Sequence, residues 1–223
     1  MIPHLPVRPL IDSLMTLSLL LLMSFPIMPF ILHAALGFLL ALLLTVHVCL
    51  QRRWYSTLGK GRYSPARTVQ TAVILILPAV FSLSLLSGCL LLFPEIPLFQ
   101  PLIAPARQLH LSMSYWAFLL SSVHLGFHGE PLLRRFQAPL LRRPRRFHLC
   151  RYAFLLASVC GLFLLIQSDI PSYLFFQSEF AFLDFRKPAV QIFLEQCLLM
   201  AGISFLSAQL LHPPFLKKKE NRP

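Results

Sequence analysis

The stretch FILHAALGFLLALLLTVHVCL, residues 30–50, decides the fold class of this chain. It contains no Asp, Glu, Lys or Arg, and its most polar side chains are the two histidines His33 and His47. A helix of this length, at about 1.5 Å per residue, crosses the roughly 30 Å hydrocarbon core of a bilayer. The stretch therefore predicts a transmembrane helix.

The rest of the chain repeats this pattern on both sides. Of its 223 residues, 57% are hydrophobic and 13% are charged, against about 25% charged residues in a typical soluble domain. We predict an all-α transmembrane bundle of about six helices. Their predicted bounds are Leu10–Phe25, Phe30–Leu50, Val69–Leu92, Leu109–Phe127, Tyr152–Ile166 and Val190–Leu211.

The first of these segments has two interpretations. Arg8 followed by an apolar stretch is also the pattern of a signal peptide. The residues after it, SFPIMP at 24–29, make a poor small-x-small cleavage site. We therefore expect a retained helix.

The basic residues indicate the orientation of the bundle. With alternating helices, 17 of the 20 Lys and Arg residues fall on one side and 3 on the other, namely Arg107, Arg186 and Lys187. Because basic loops stay in the cytoplasm, both termini are predicted to be cytoplasmic. The net charge of +12 thus reflects short loops beside apolar spans. It does not indicate the folded basic face of a nucleic-acid-binding protein.

Four histidines on two of the predicted helices share one spacing. His33 and His47 are 14 residues apart, and so are His110 and His124. Fourteen steps of about 100° end only about 40° short of four full turns, so each pair shares a helix face. The two rings of a pair are separated by roughly 21 Å along the helix axis, which is most of the bilayer thickness.

The predicted topology makes the second and fourth helices parallel, so His33 faces His110 at one level and His47 faces His124 at the other. Two facing neutral imidazoles are the requirement for bis-His haem ligation, and the pattern predicts two b-type haems. Small residues on the same faces, where a flat ring must approach the backbone, fit this prediction: Gly37, Ser114, Ala117 and Ser121. Two alternatives stay open, namely histidines that only satisfy polar contacts in the bundle, and a single haem beside one structural pair.

The motifs around these histidines resemble those of a known family. One half consists of LHAALG at 32–37, His47, RRW at 52–54 and KGRYS at 60–64, and the other of LH at 109–110, YW at 115–116 and HLGFH at 124–128. Together they resemble the bacterial flavinylation-associated cytochromes, whose helices are similar to the four-helix di-haem core of cytochrome b. The specific motifs cover roughly residues 10–130.

This resemblance implies a cytochrome b-like di-haem domain at 1–130, followed at 131–223 by a basic cytoplasmic loop, two further helices and a basic tail. All four histidines match the ligand positions of the family. The expected function is electron transfer across the bacterial cytoplasmic membrane, from the quinol pool to extracytoplasmic flavin-carrying partners. The alternative is a haem-free membrane transporter or scaffold subunit with structural histidines.

Three further features have more than one interpretation each. His128 could hold a haem propionate or compete as an inner ligand, but we expect an interfacial side chain near a helix end. Glu195, inside the last predicted span, could accept a proton from quinol or be paired locally. The aromatic loop at 167–188 could cover the outer haem or receive a partner, and we expect an interfacial segment over the outer end of the bundle.

Overall fold

The structure, a computed structural model, describes residues 7–25, 28–128, 144–182 and 186–211. The secondary-structure elements in these ranges are all α-helices, which confirms the predicted all-α class. In chain order they are α1 Val7–Met23, α2 Phe30–Leu50, α3 Arg52–Tyr55, α4 Pro65–Leu90, α5 Gln100–Phe127, α6 Pro144–Gln167, α7 Ile170–Leu174 and α8 Ala189–Leu211. The basic runs at 134–143 and 217–222 lie outside the described residues.

Three helices are long and apolar enough to cross a membrane. They are α2, α4 and the Ala189–Leu210 part of α8, and a shorter apolar segment lies at Leu155–Gln167 in α6. The side chains of α2 are exposed or half-buried except that of Leu40, and Ile31 is 75% and Leu42 62% accessible. A continuous apolar surface of this extent is unfavourable in water and favourable in lipid. The chain therefore has the helices of a membrane protein.

Helix α5 begins nine residues before its predicted start at Leu109. Pro101 lies in the first turn of the helix, and Pro105 lies inside it. Pro101 removes little, because the first amide N–H groups of a helix have no partner within it, whereas Pro105 removes one hydrogen bond of the helix.

Helix α5 is also the central helix of the bundle, packed along both α4 and α8. Its residues Ser112, Ala117, Phe118 and Ser122 are at most 1% exposed. Its polar side chains lower its hydropathy, yet they face other helices rather than lipid. This explains why α5 is not among the three helices that are long and apolar enough to cross a membrane, although it lies at the centre of the fold.

The helix crossings depend on glycines. A Cβ at Gly126 of α5 would lie 2.4 Å from the Ser204 backbone oxygen of α8. Gly161 of α6 has a similarly close neighbour in the Leu198 backbone oxygen, at 2.8 Å. Small residues allow backbones to approach this closely, as in other membrane helix pairs. Helix α8 is thereby held between α5 and α6.

One hydrophobic core joins both parts of the chain. Leu19 of α1, Leu40 of α2 and Phe118 of α5 belong to the same buried cluster as Leu199 and Met200 of α8. Helix α8, which lies beyond residue 130, therefore packs directly against α5, the helix that carries His110 and His124, and against α1.

Part of the aromatic segment at 167–188 is packed more deeply than predicted. Tyr173 and Leu174 of α7 are only 3% and 8% exposed. The Leu174 carbonyl accepts hydrogen bonds from Ser112 Oγ and Trp116 Nε1, both at 3.1 Å. Phe175, Phe176, Phe180 and Phe182 are exposed, as expected of interfacial side chains. The segment thus has a buried turn against α5 and an exposed aromatic remainder.

Candidate functional site

The structure brings His33 of α2 and His110 of α5 together. Their ring centroids are 6.1 Å apart and the ring planes are inclined by 75°. A metal–imidazole bond is about 2 Å long and the ring centre lies about 1 Å behind the nitrogen, so two rings on one metal have centroids about 6 Å apart. The spacing of this outer pair is therefore the spacing that axial ligation requires.

The orientation of the His110 ring is set by helix α4. His110 Nδ1 lies 2.8 Å from the Ser84 backbone oxygen, to which it donates a hydrogen bond. This bond places the proton on Nδ1 and leaves the lone pair on Nε2, the form in which a neutral histidine binds a metal.

Gly88 makes room for this ring. A Cβ at Gly88 would lie 3.0 Å from both Cε1 and Nδ1 of His110. Few real Cβ atoms approach another atom so closely. The glycine therefore lets the His110 ring lie against the backbone of α4 and reach the Ser84 carbonyl one helical turn earlier.

His33 has a buried nitrogen without a partner. The edge of its ring meets Phe25 at a centroid distance of 4.7 Å, and its Nδ1 has no hydrogen-bond partner among the described residues. Unpaired buried polar nitrogens are costly and uncommon in folded proteins. In the described part of the chain, His33 therefore lacks the hydrogen bond on Nδ1 that orients the His110 ring.

Helix α2 stands away from α5 although their histidines meet. It packs mainly along α1 and lightly against α4, and within the described residues it makes no extended contact with α5. A Cβ at Gly37, one turn after His33, would have no neighbour within 4 Å. The role of Gly37 in leaving space for a flat ring stays a prediction.

The inner pair has a different environment. His47 Nδ1 donates a hydrogen bond to Asp12 Oδ1 of α1 at 2.8 Å. A carboxylate on Nδ1 fixes the ring and leaves Nε2 free, which is the arrangement usual behind a metal-binding histidine. The sequence analysis did not single out Asp12, because the contact joins residues 35 positions apart.

His124 lies beside His128 as well as near His47. The His124 and His128 ring centroids are 4.9 Å apart, and His47 is within electrostatic range of both. His124 Nδ1 is buried and has no partner in the described part of the chain. His128 is exposed at the C-cap of α5. The inner group therefore contains three histidines and one carboxylate rather than a simple facing pair.

Two of the small residues of α5 that were predicted to leave room for a haem ring are in contact with the rest of the bundle. Ser114 Oγ lies 2.8 Å from Ser84 Oγ, so this side chain joins α4 to α5. Ala117 is 1% exposed within the helix bundle. The Ser84 carbonyl and Gly88, which the sequence analysis did not single out, are the groups that contact the His110 ring.

Glu195 is paired locally. Lys187 Nζ lies 3.0 and 2.9 Å from its two carboxylate oxygens, and Gln191 Nε2 donates to Oε1 at 3.0 Å. The geometry agrees with the local-pairing interpretation of this residue.

No protein-family model, curated protein or solved structure matches the chain. Across the described ranges, no group of three or more His, Cys, Asp or Glu side chains is placed to hold a metal ion. A haem needs only two axial residues, because the porphyrin supplies the other ligands. The residues present fit haem best at the outer pair, where the centroid spacing and the hydrogen bond that orients the His110 ring agree.

Proposed function

We propose that this protein is a multi-pass b-type di-haem cytochrome that transfers electrons across the bacterial cytoplasmic membrane. His33 and His110 would hold the outer haem, and His47 and His124 the inner haem. A haem with both axial positions filled by histidine supplies one-electron transfer and leaves no open site for oxygen or substrate.

The observation that carries the proposal is the outer histidine pair. Two histidines from helices that hardly touch have ring centroids 6.1 Å apart, and one ring is fixed by a backbone carbonyl. Packing of α2 against α5 does not account for this proximity. A shared ligand does account for it.

The surrounding residues would tune the two sites differently. The Ser84 carbonyl orients His110 without adding charge, whereas Asp12 places a carboxylate behind His47. An anionic partner increases the basicity of a ligand histidine and stabilises the oxidised metal. The inner haem would therefore have the lower potential of the two if other influences are equal.

The membrane arrangement belongs to the same proposal. The six long helices would each cross the bilayer, with both termini in the cytoplasm as the basic residues indicate. The quinol pool is the proposed donor and an extracytoplasmic flavin-carrying protein the proposed acceptor. Both partners come from the family resemblance of the histidine motifs.

The test is a haem count on purified protein. A dithionite-reduced minus oxidised spectrum and a pyridine haemochrome assay should give a b-type spectrum and about two haems per chain. His33→Ala and His110→Ala should each lose about one haem, and so should His47→Ala and His124→Ala. His128→Ala tests the third histidine of the inner group, and it should leave both haems in place if His47 and His124 hold the inner haem.

The other outcomes separate the alternatives. One haem in the native protein would mean that one histidine pair is structural, and the single substitutions would show which. No haem, in protein produced with ample haem, would overturn the proposal in favour of a transporter or scaffold subunit. Loss of haem from His128→Ala but not from His47→Ala would move the inner site from His47 to His128.

A further inference from the structure

A basic cavity lies where the beginning of α1 meets the end of α2. It encloses about 410 Å³ and is lined by Arg8, Cys49, Leu50, Arg52 and Arg53. Arg8 Nη2 donates a hydrogen bond to the Leu50 backbone oxygen at 3.4 Å, which joins the two helix ends at the rim of the cavity.

The charges in this cavity are unbalanced. Three of the five lining residues are arginines and none is acidic. The side chains of Arg52 and Arg53 have no hydrogen-bond or ion-pair partner among the described residues, and both are exposed. Asp12, which lies one turn after Arg8, is hydrogen-bonded to His47. Arginine side chains gathered without a carboxylate are suited to a phosphate, whose oxygens accept paired N–H bonds.

The position of the cavity points to a lipid as the source of the phosphate. Cys49 and Leu50 are the last residues of α2, the 21-residue helix that can cross a membrane, so the cavity lies at the edge of the hydrocarbon core. Trp54 and Tyr55 follow directly, with their rings in edge contact at 5.3 Å. These two residue types are enriched at the level of the lipid headgroups. The preceding turns of α2 expose Leu42 and Val46, which acyl chains can cover.

We propose that Arg8, Arg52 and Arg53 bind the phosphate of an anionic phospholipid at the membrane surface. The lipid phosphate, with its single negative charge, would accept hydrogen bonds from the three guanidinium groups, offset part of their charge and bridge the start of α1 to the end of α2. This inference uses neither the haem proposal nor the direction in which the chain crosses the membrane.

The test measures lipid binding to the full-length protein. Protein in nanodiscs of phosphatidylcholine is titrated with phosphatidylglycerol, and bound lipid is counted by native mass spectrometry. Replacement of one arginine, as in Arg8→Gln, Arg52→Gln or Arg53→Gln, should weaken binding about tenfold or more, the loss expected when a hydrogen bond to a charged group is removed. Arg52→Lys, which keeps the charge but loses the paired donors, should weaken binding less than Arg52→Gln.

Arg62→Gln is the matched control. It removes one positive charge from the same loop but does not line the cavity. It should bind phosphatidylglycerol as the native protein does. A size-exclusion profile and a thermal unfolding curve for each variant establish that it is folded, and the Arg52→Lys variant keeps the test decisive if a glutamine variant unfolds.

Two results would overturn the inference. If Arg62→Gln weakens binding as much as the cavity variants, the attraction is a general effect of surface charge. If glycerol phosphate in water displaces the lipid at equal concentration, the site takes a soluble phosphate rather than a membrane lipid.

Discussion

At the scale of single residues, the histidines are held by partners from other helices. The Ser84 carbonyl of α4 accepts the proton of His110, and Asp12 of α1 accepts that of His47. Each partner leaves Nε2 available, so the two rings have the tautomer that a metal requires. His33 and His124 have no such protein partner for Nδ1 among the described residues.

Substitution of Asp12 tests the inner contact. Asp12→Ala removes the acceptor behind His47, and loss of such a partner typically weakens metal affinity about 10–100-fold. We expect haem titration of the apoprotein to show this weakening at one of two sites. Asp12→Asn keeps an acceptor oxygen and should bind haem more tightly than Asp12→Ala, with a higher potential at that site. Glu95→Ala removes an exposed loop carboxylate and serves as the control; equal losses in both alanine variants would contradict the role of Asp12.

Substitution of Gly88 tests the outer contact. Gly88→Val adds a branched side chain where a Cβ alone would lie 3.0 Å from the His110 ring. Displacing the ring breaks its bond to the Ser84 carbonyl, and overpacking of this kind costs about 1–3 kcal/mol. We expect a lower haem content at the outer site and a lower unfolding temperature in detergent.

The control for this substitution is Gly59→Val. A Cβ at Gly59 has no neighbour within 4 Å, so the larger side chain meets open space. If both valine variants keep the native haem content and stability, Gly88 is not needed for the position of His110.

At the scale of helices, α5 carries polar side chains in a bundle that is otherwise strongly apolar. It carries His110, His124 and several serines, yet it lies among other helices rather than in lipid. Polar side chains in a bilayer are tolerated when they face the bundle interior. The close crossing with α8 at Gly126 helps to enclose α5 on one side.

The crossing of α5 and α8 should be sensitive to a single methyl group. Gly126→Ala would place a Cβ 2.4 Å from the Ser204 backbone oxygen, which cannot rotate away as a flexible side chain can. The helices must separate, and we expect a loss of about 1–3 kcal/mol of stability. Thermal unfolding in detergent measures it. Gly59→Ala is the control, and equal stability of the two alanine variants would show that the helices can shift without cost.

At the scale of the whole molecule, the direction of the helices can be tested independently of haem. Lys60 lies in the connection between α3 and α4, and Glu95 between α4 and α5. If α4 spans the membrane, the two residues lie on opposite sides. The basic residues place Lys60 in the cytoplasm. In a background with the native cysteines replaced by serine, Glu95→Cys should react with an impermeant maleimide in intact cells and Lys60→Cys should react only after lysis.

Two other labelling patterns would contradict this prediction. The reverse labelling would invert the proposed orientation and place the inner histidine group at the outer surface. Labelling of both residues in intact cells would mean that α4 does not cross the membrane.

The membrane-spanning character of α2 could be predicted from the sequence alone. The length and hydropathy of a helix are local properties, and lipid acts on each helix separately. The repeated spacing of the four histidines is local in the same sense, since helix geometry relates His33 to His47 and His110 to His124 without reference to the rest of the fold.

What only the tertiary structure decided depends on contacts between residues far apart in sequence. Asp12 and His47 are 35 residues apart, Ser84 and His110 are 26 apart, and Ser112 and Leu174 are 62 apart. No periodicity within one helix specifies which neighbour a polar group meets, because that depends on how the helices pack. The sequence thus determined which segments are apolar helices and which faces carry histidine, and packing decided the hydrogen-bond partners of each ring.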